Sequence, residues 1–331
     1  MSKTPTDLVR HAFHGPTMGT RWSALFYAPA EKAPEQVQAA LAECVDTVDR
    51  QMSTWKPDSD LMCINHAPIG AWVPAPAELM DVLAKGLEVG SLSGGAFDIG
   101  MGDVVNAWGF GPHEADSHAI RAALGETRPP AHQVLELDRD KLQVRKQAPL
   151  ALDLSGIAKG YAVDQMMATL NGFGITDALV GLDGEMRACG SRPDGRPWTV
   201  AVERPDYKAR APLSIIELDN SAVATSGDYR HWVEVGDQRL SHTMNPIRRG
   251  PLTNAPASVT VLANSCIEAD AWATALMVCS MEQGAALVRE NSLIALYIHR
   301  DVTGLRQTRV GWTSSNSSAE TQPSLRSVKD A

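Results

Sequence analysis

An α+β protein, with mixed or largely antiparallel sheets and packed helices, is what the sequence predicts. Three observations carry this: many short β-favouring runs, segments of helical spacing between them, and no repeating period of about 20–50 residues such as a solenoid or propeller needs. Thr20–Ala28 (TRWSALFYA) is rich in aromatic and β-favouring residues and reads as a strand. From Pro34 the apolar positions Val37, Leu41, Cys44, Val45, Val48 and Met52 recur at helical steps, and Pro34 suits a first helical turn. A second helix is predicted over roughly Pro76–Ser91, with Leu79, Val82, Leu83 and Leu87 on one side and the SGGAF turn ending it.

The middle of the chain turns to β. Candidate strands are Gln133–Asp138, Lys141–Lys146, Leu150–Leu154, Ala178–Ala188, Trp198–Glu203, Leu213–Leu218, Ala222–Thr225, His231–Val235, Ala257–Ala263 and Leu293–Arg300. Among them a helix is expected from about Ile157 to Asn171, with Gly172 as its stop. Ser265 and Glu268 have the S-x-x-E form of a capping box ahead of a helix over Cys266–Val278, and Ser280–Gln283 repeats the signal.

With 331 residues, 44% apolar and 21% charged, the chain has ordinary globular composition, which excludes collagenous, wholly disordered and disulfide-scaffold proteins. The net charge of −9 leaves no electrostatic footprint for a nucleic-acid backbone or an anionic membrane surface. Five cysteines without a C-x-x-C pair read as buried thiols of a reducing compartment. Met1–Thr20 lacks the apolar run of a secretory signal, and no window approaches the roughly 18 apolar residues of a membrane span, so the expected location is cytoplasmic. The expected organisation is an N-terminal arm over 1–14, a catalytic domain over 15–312 and a polar, Ser-rich disordered tail over 313–331.

Phosphate-loop, dinucleotide-fold, zincin and nucleophile-elbow signatures are all absent. What remains is a set of polar turns. Asp270 and Thr274 lie four residues apart on one helix face, either a solvated edge or a hard-oxygen pair suited to Mg²⁺ beside phosphate oxygens. The turn from Asp153 to Gly160 (DLSGIAKG) leads from a strand into a helix start, either a simple junction or an anion cradle to which Lys159 adds a charge. His242 follows a β-type stretch and precedes a Pro turn, a placement open to a structural imidazole or a general base. Met18, Trp55 and the segment Ala96-Phe97-Asp98 read either as core packing or as flat and polarizable surfaces for a ring system.

Taken in order, MGT, MSTW, GAFDIG, NAWGFG, LDLSGIAKGYAVD, DGEMRACG, VATSGDYRH, SHTMNP and EADAWATAL resemble the FAD:protein FMN transferase (ApbE) family, collinearly from about Gly15 to Ile298. The resemblance implies an α+β fold with a flavin cleft. It implies transfer of FMN from FAD to a Thr or Ser hydroxyl of a target flavoprotein through a phosphoester bond, with Mg²⁺ and release of AMP. Carried over by position, it assigns Met18, Trp55, Ala96, Phe97, Asp98, Asp153, Lys159 and Met244 to FAD contact. It assigns the Gly156 carbonyl, Asp270 and Thr274 to the metal, and His242 to deprotonation of the acceptor hydroxyl.

Three departures stand out. Gly181-Leu182-Asp183-Gly184-Glu185 replaces the family's N-x-G-G-[ED] turn, removing an amide and adding a carboxylate. Asn245-Pro246-Ile247-Arg248-Arg249-Gly250 replaces D-P-[RK]-T-G, losing an acidic residue and delaying the glycine by one place. The family is commonly exported as a lipoprotein, whereas no leader is read here, so the expected acceptor is a cytoplasmic flavoprotein or domain. Alternative readings are a non-catalytic FAD-binding homologue and an Mg²⁺-dependent FAD pyrophosphatase giving FMN and AMP. The acceptor's identity and the oligomeric state are not encoded in any motif.

Overall fold

Alternation of inward and outward apolar residues along the β-favouring runs builds an eight-stranded antiparallel sheet around which everything else packs. The structure, a computed structural model, describes residues 8–30, 34–125, 128–230, 232–235, 238–253, 255–302, 304–312 and 325–327. The first half contains β1 (Leu8–Thr17), β2 (Thr20–Pro29), α1 (Pro34–Met52), α2 (Asp60–His66), β3 (Trp72–Pro74), α3 (Ala77–Leu92), α4 (Gly102–Ala107), α5 (Ser117–Gly125), α6 (Ala131–Val134), β4 (Leu135–Asp138), β5 (Gln143–Lys146) and α7 (Ala158–Gly172). There follow β6 (Ala178–Leu182), β7 (Glu185–Cys189), β8 (Trp198–Glu203), β9 (Pro212–Leu218), β10 (Ala222–Gly227), β11 (Trp232–Val235), β12 (Gln238–Ser241), β13 (Met244–Asn245), β14 (Gly250–Pro251) and β15 (Ser258–Ala263). The chain continues through α8 (Cys266–Val278), α9 (Met281–Glu290), β16 (Ile294–Asp301), β17 (Gly304–Val310) and β18 (Leu325–Ser327).

The main sheet runs β1-β2-β6-β7-β10-β15-β16-β17. On one face Phe26, Val180, Leu182, Val259, Val261 and Tyr297 bury against α1, α3, α7 and α8. On the other, Val223, Leu262, Leu296 and Ile298 meet Trp198, Val200, Ile216 and Leu218 of the small sheet β18-β9-β8. This two-sided burial explains why β15 is almost continuously apolar. Helix α8 lies at the centre: Ala269, Ala271, Trp272, Ala273, Ala275 and Leu276 are all buried, so it has no solvated stripe. It meets α7 at Gly160, where a Cβ would sit only 2.3 Å from the Cys266 carbonyl oxygen.

Most predicted elements form, with informative exceptions. Leu150–Leu154 is not a strand; it makes a single parallel bridge, Ala151 to Met101, and runs as a connector beside 99–102. Ala178–Ala188 is two strands, β6 and β7, split by a tight turn at Asp183-Gly184. Gln133 lies in the short helix α6 ahead of β4. The stop of α7 is Gly174, at φ +69°, rather than Gly172, which stays inside the helix. His231 lies outside the described residues.

The Ser265 capping box does not form. Its hydroxyl donates instead to Glu268 Oε2 at 2.9 Å, while the first amides of α8, Cys266 N and Ile267 N, donate to the two carboxylate oxygens of Asp164 on α7, each at 2.9 Å. A carboxylate brought in by helix packing has replaced the local cap. The box at Ser280 and Gln283 is present. Only Cys266 of the five cysteines is buried, and Cys63 is exposed on the outer side of α2, against the expectation of five buried thiols.

Residues 8–14, expected in an N-terminal arm, belong to β1, which pairs with β2 along its whole length. Most of 313–331 lies outside the described residues; within it Leu325–Ser327 pairs with β9.

Asp164→Ala should destabilise the protein by about 2–4 kcal/mol in urea unfolding, because two helix-start amides lose their acceptor and Arg187 loses its partner at 2.5 Å. Ser265→Ala should cost under about 1 kcal/mol, since its side chain caps no backbone donor. Equal losses in the two variants would show that Asp164 is not the cap.

Candidate functional site

Two tight hairpin turns define one end of the main sheet. Met18 and Gly19 join β1 to β2 with φ of +45° and +71°, and Asp183 and Gly184 join β6 to β7 with φ of +54° and +120°. The turns touch, Thr20 Oγ1 donating to Asp183 Oδ1 at 2.9 Å. The N-terminus of α7 reaches the same region, because Lys159 in its first turn places Nζ 2.8 Å from Glu185 Oε1 and 3.6 Å from Asp183 Oδ2.

The central helix supplies the rest. Asp270 is 3% exposed, and its Oδ2 accepts a hydrogen bond from Gly160 N at 2.9 Å. One turn on, Thr274 Oγ1 lies 3.2 Å from Ser226 Oγ at the end of β10. A Cβ on Gly156 would fall 3.1 Å from Thr274 Oγ1 and 3.3 Å from the Phe97 ring edge, so the backbone at Gly156 lies directly against both. Gly156, Lys159, Asp270, Thr274 and Phe97, scattered over more than half of the sequence, thus converge on the start of α7.

The electrostatics are those of an incompletely compensated acidic pocket. Burial and the nearby Glu185 push Asp270 up to about 7, against the opposing pull of Lys159 and the Gly160 amide. Burial likewise raises Glu185, whose Oε2 is buried without a hydrogen-bond partner. Burial would lower Lys159, but Glu185, Asp270 and Asp183 together hold it above its ordinary value. Among the described residues no group of three or more His, Cys, Asp or Glu side chains is arranged to hold a metal ion. A cation here would therefore rest on Asp270, the Thr274 hydroxyl and a backbone carbonyl, an all-oxygen set that fits Mg²⁺ sharing ligands with a phosphorylated substrate. The raised Asp270 fits too, since a cation relieves the cost of ionising it in a buried place.

The other predicted residues fall into three settings. Asp98 Oδ1 accepts from Gly100 N at 2.8 Å and Ala131 N at 3.0 Å, and Asp153 Oδ1 accepts from Ser155 N at 2.9 Å, so both shape the loops beside the cluster. Those loops are joined by Asp153 N donating to the Ile99 carbonyl at 2.8 Å. Ala96 and Phe97 are buried, and Phe97 N donates to Ser93 Oγ at 3.0 Å. Met18 occupies the β1–β2 turn with its side chain against the main core, whereas Trp55, just after α1, is 64% exposed.

His242 and Met244 form a second group. Met244 is buried with Met101, Val104 and Ala123, and the His242 ring meets Phe110 edge-on at 6.4 Å between centroids. Sequence reasoning missed Ser226 beside Thr274, and it missed Asp103, to which Arg128 and Arg249 both bind. The displaced glycine in 245–250 was the available signal for Arg249.

Comparison with known proteins identifies the family. The ApbE family model matches residues 18–298. An FAD:protein FMN transferase of Klebsiella pneumoniae (strain 342) is 34% identical over 297 residues, covering 88% of this chain and 85% of its own. One from Escherichia coli (strain K12) is 31% identical over 293 residues, covering 87% and 83%. The solved flavin transferase ApbE from Vibrio cholerae superposes with a TM-score of 0.80 at 31% identity, over 92% of this chain and 97% of that one. The apo Pseudomonas stutzeri flavinyl transferase ApbE gives 0.79 at 35% identity, over 92% and 95%. With a matched model across most of its length, relatives above 30% identity and the same mixed helix and antiparallel-sheet architecture, the chain belongs to the ApbE family.

Proposed function

We propose that this protein is an FAD:protein FMN transferase, joining the FMN half of FAD to a Thr or Ser hydroxyl of a target flavoprotein and releasing AMP, with 15–312 as its catalytic domain. The observation that carries the reading is the convergence of Gly156, Lys159, Asp270 and Thr274 on one helix start. The positive dipole end of a helix favours an anion, and Lys159 adds a cation for a diphosphate. The relatives' names supply the reaction class.

In the reaction, the acceptor oxygen forms a bond to the FMN-side phosphorus as the bond from that phosphorus to the bridging oxygen breaks, and AMP departs with that oxygen. His242 takes the hydroxyl proton as the oxygen attacks. Asp270, Thr274 and the Gly156 carbonyl would hold Mg²⁺, which supplies neutralisation of phosphate charge as it shifts toward the leaving group. Lys159, steadied by Glu185 at 2.8 Å and Asp183 at 3.6 Å, presents its ammonium beside the same region. Trp55, Met18 and Met244 would offer apolar surfaces to the ring systems, while Ala96, Phe97, Asp98 and Asp153 would line the same cleft, Phe97 directly against Gly156. No described helix is long and apolar enough to cross a membrane.

Incubation with FAD, Mg²⁺ and a peptide bearing an acceptor Thr should yield a peptide heavier by one FMN phosphoester, read by mass, together with AMP. AMP and free FMN without adduct would mean a pyrophosphatase, and bound FAD without AMP a non-catalytic binder.

Asp270→Ala should lower Mg²⁺-dependent turnover by roughly 10²–10³-fold while circular dichroism shows the fold retained, with melting lowered as the Gly160 amide loses its acceptor. Full activity in that variant would remove the metal assignment. His242→Ala should keep FAD binding, followed by flavin fluorescence, and lose transfer by about 10²–10⁴-fold; unchanged transfer would leave His242 structural.

A further inference from the structure

The turn after His242 is held from outside by an ion pair that the catalytic reading does not use. Arg249 is 5% exposed, unlike pairs such as Arg50–Glu43, whose side chains are 56% and 66% exposed. Its Nη2 lies 2.5 Å from Asp103 Oδ2 in the first turn of α4, and its Nε donates to the Ala123 carbonyl in α5 at 2.9 Å. The other Asp103 oxygen takes Arg128 Nη2 at 2.8 Å. A buried, doubly engaged guanidinium is a poor source of net stability but a strong geometric constraint.

That constraint is transmitted to the His242 segment by the backbone. Arg249 sits at φ +53° and its N–H donates to the Asn245 carbonyl at 2.8 Å, while Asn245 Oδ1 accepts from Ile247 N and Arg248 N, each at 2.9 Å. Asn245 pairs with Gly250 and Met244 with Pro251, and Leu252 N returns to the Thr243 carbonyl at 3.0 Å. The turn therefore behaves as one rigid unit from Thr243 to Leu252. Its apolar side also docks near α4: Met244 packs on Met101 and Val104, and His242 meets Phe110, whose N–H donates to the Val105 carbonyl at 3.0 Å.

We infer that Arg249 and Asp103 are positioning residues for transfer, an ionic clasp that sets the His242–Met244 segment against α4 so that the imidazole meets the acceptor hydroxyl. This rests on the reading of His242 as the proton acceptor. The clasp shares no residue with the Asp270 cluster, so its loss should fall mainly on the acceptor half of the reaction and reach FAD only through Met244. An imidazole displaced by about an ångström slows transfer without weakening either ligand.

The full-length chain is compared with Arg249→Met, Asp103→Asn, the double variant, Arg249→Lys and His242→Ala. Measured are FAD affinity by flavin fluorescence, kcat and KM for the Thr peptide by adduct mass, and melting. Arg249→Met and Asp103→Asn should each lower kcat by roughly 10- to 100-fold, with peptide KM within about twofold and FAD Kd, reached only through Met244, within about fivefold. The double variant, which leaves no half of the pair uncompensated, should be no slower than Arg249→Met, and Arg249→Lys, which keeps the charge but not the two-point grip on Asp103 and the Ala123 carbonyl, should fall between Arg249→Met and the parent. Parental kcat in Arg249→Met alongside loss in His242→Ala overturns the clasp alone. A loss in FAD Kd as large as the loss in kcat, or one that tracks melting across all variants, assigns the pair to folding and overturns it as well. No adduct from the parent chain, or an undiminished one from His242→Ala, removes the transferase or base reading on which the clasp depends.

Discussion

The closest approach of α7 to α8 is the contact on which the site depends. At Gly160 the two backbones come so near that a Cβ would lie 2.3 Å from the Cys266 carbonyl oxygen and 2.8 Å from the Asp270 Cβ. Only glycine fits there. Its amide donates to Asp270, which fixes one carboxylate oxygen and brings the start of α7 to the face of α8 that carries Thr274. Asp164, one turn further along α7, then takes the first amides of α8. The same helix pair is thus bound at both places by carboxylate-to-amide hydrogen bonds, charge-assisted and short of water.

Around that contact the protein holds acidic groups whose charges are not fully balanced. Lys159 faces Glu185, Asp183 and Asp270, and one oxygen of Glu185 is buried without a partner. Buried polar atoms are normally satisfied, and Glu185 Oε2 is one of nine such side-chain atoms among the described residues that are not. Asp183 belongs to this arrangement. It occupies a left-handed turn position at φ +54°, which Asp tolerates better than most residues, and it links Thr20 on the neighbouring hairpin to the Lys159 ammonium. The departure from the family's glycine therefore adds a contact between two turns at the sheet end.

The second departure has a different structural consequence. Arg249 stands at the left-handed position of the turn between Asn245 and Gly250, and its guanidinium is directed into the α4–α5 unit. Met244 and His242 are held there too. The candidate site is accordingly built from two units: the α7–α8 contact, where Lys159, Asp270 and Thr274 stand, and the β13–β14 turn, which His242 precedes by two residues. Each is secured by its own buried polar interactions.

The sequence by itself determined the element types and the membership of most strands, because period-2 and helical spacing of apolar residues is a local property; β2, α1, α3 and β15 can be read directly. The collinear motifs also singled out Lys159, Asp270, Thr274 and His242 as candidates. Local signals failed where packing supplied the alternative. Ser265 lost its cap to Asp164 from a neighbouring helix, Leu150–Leu154 lost its strand pairing to a connector role, and β1 was obscured because an exposed edge strand carries little apolar contrast. Only the tertiary structure decided that Gly156, Lys159, Asp270 and Thr274 share one corner while His242 stands on another unit, and that Asp103 and Arg249, far apart in the chain, are partners. The physical reason is that hydrogen bonds and ion pairs between remote residues depend on how helices and turns are stacked, and no spacing along the chain records that.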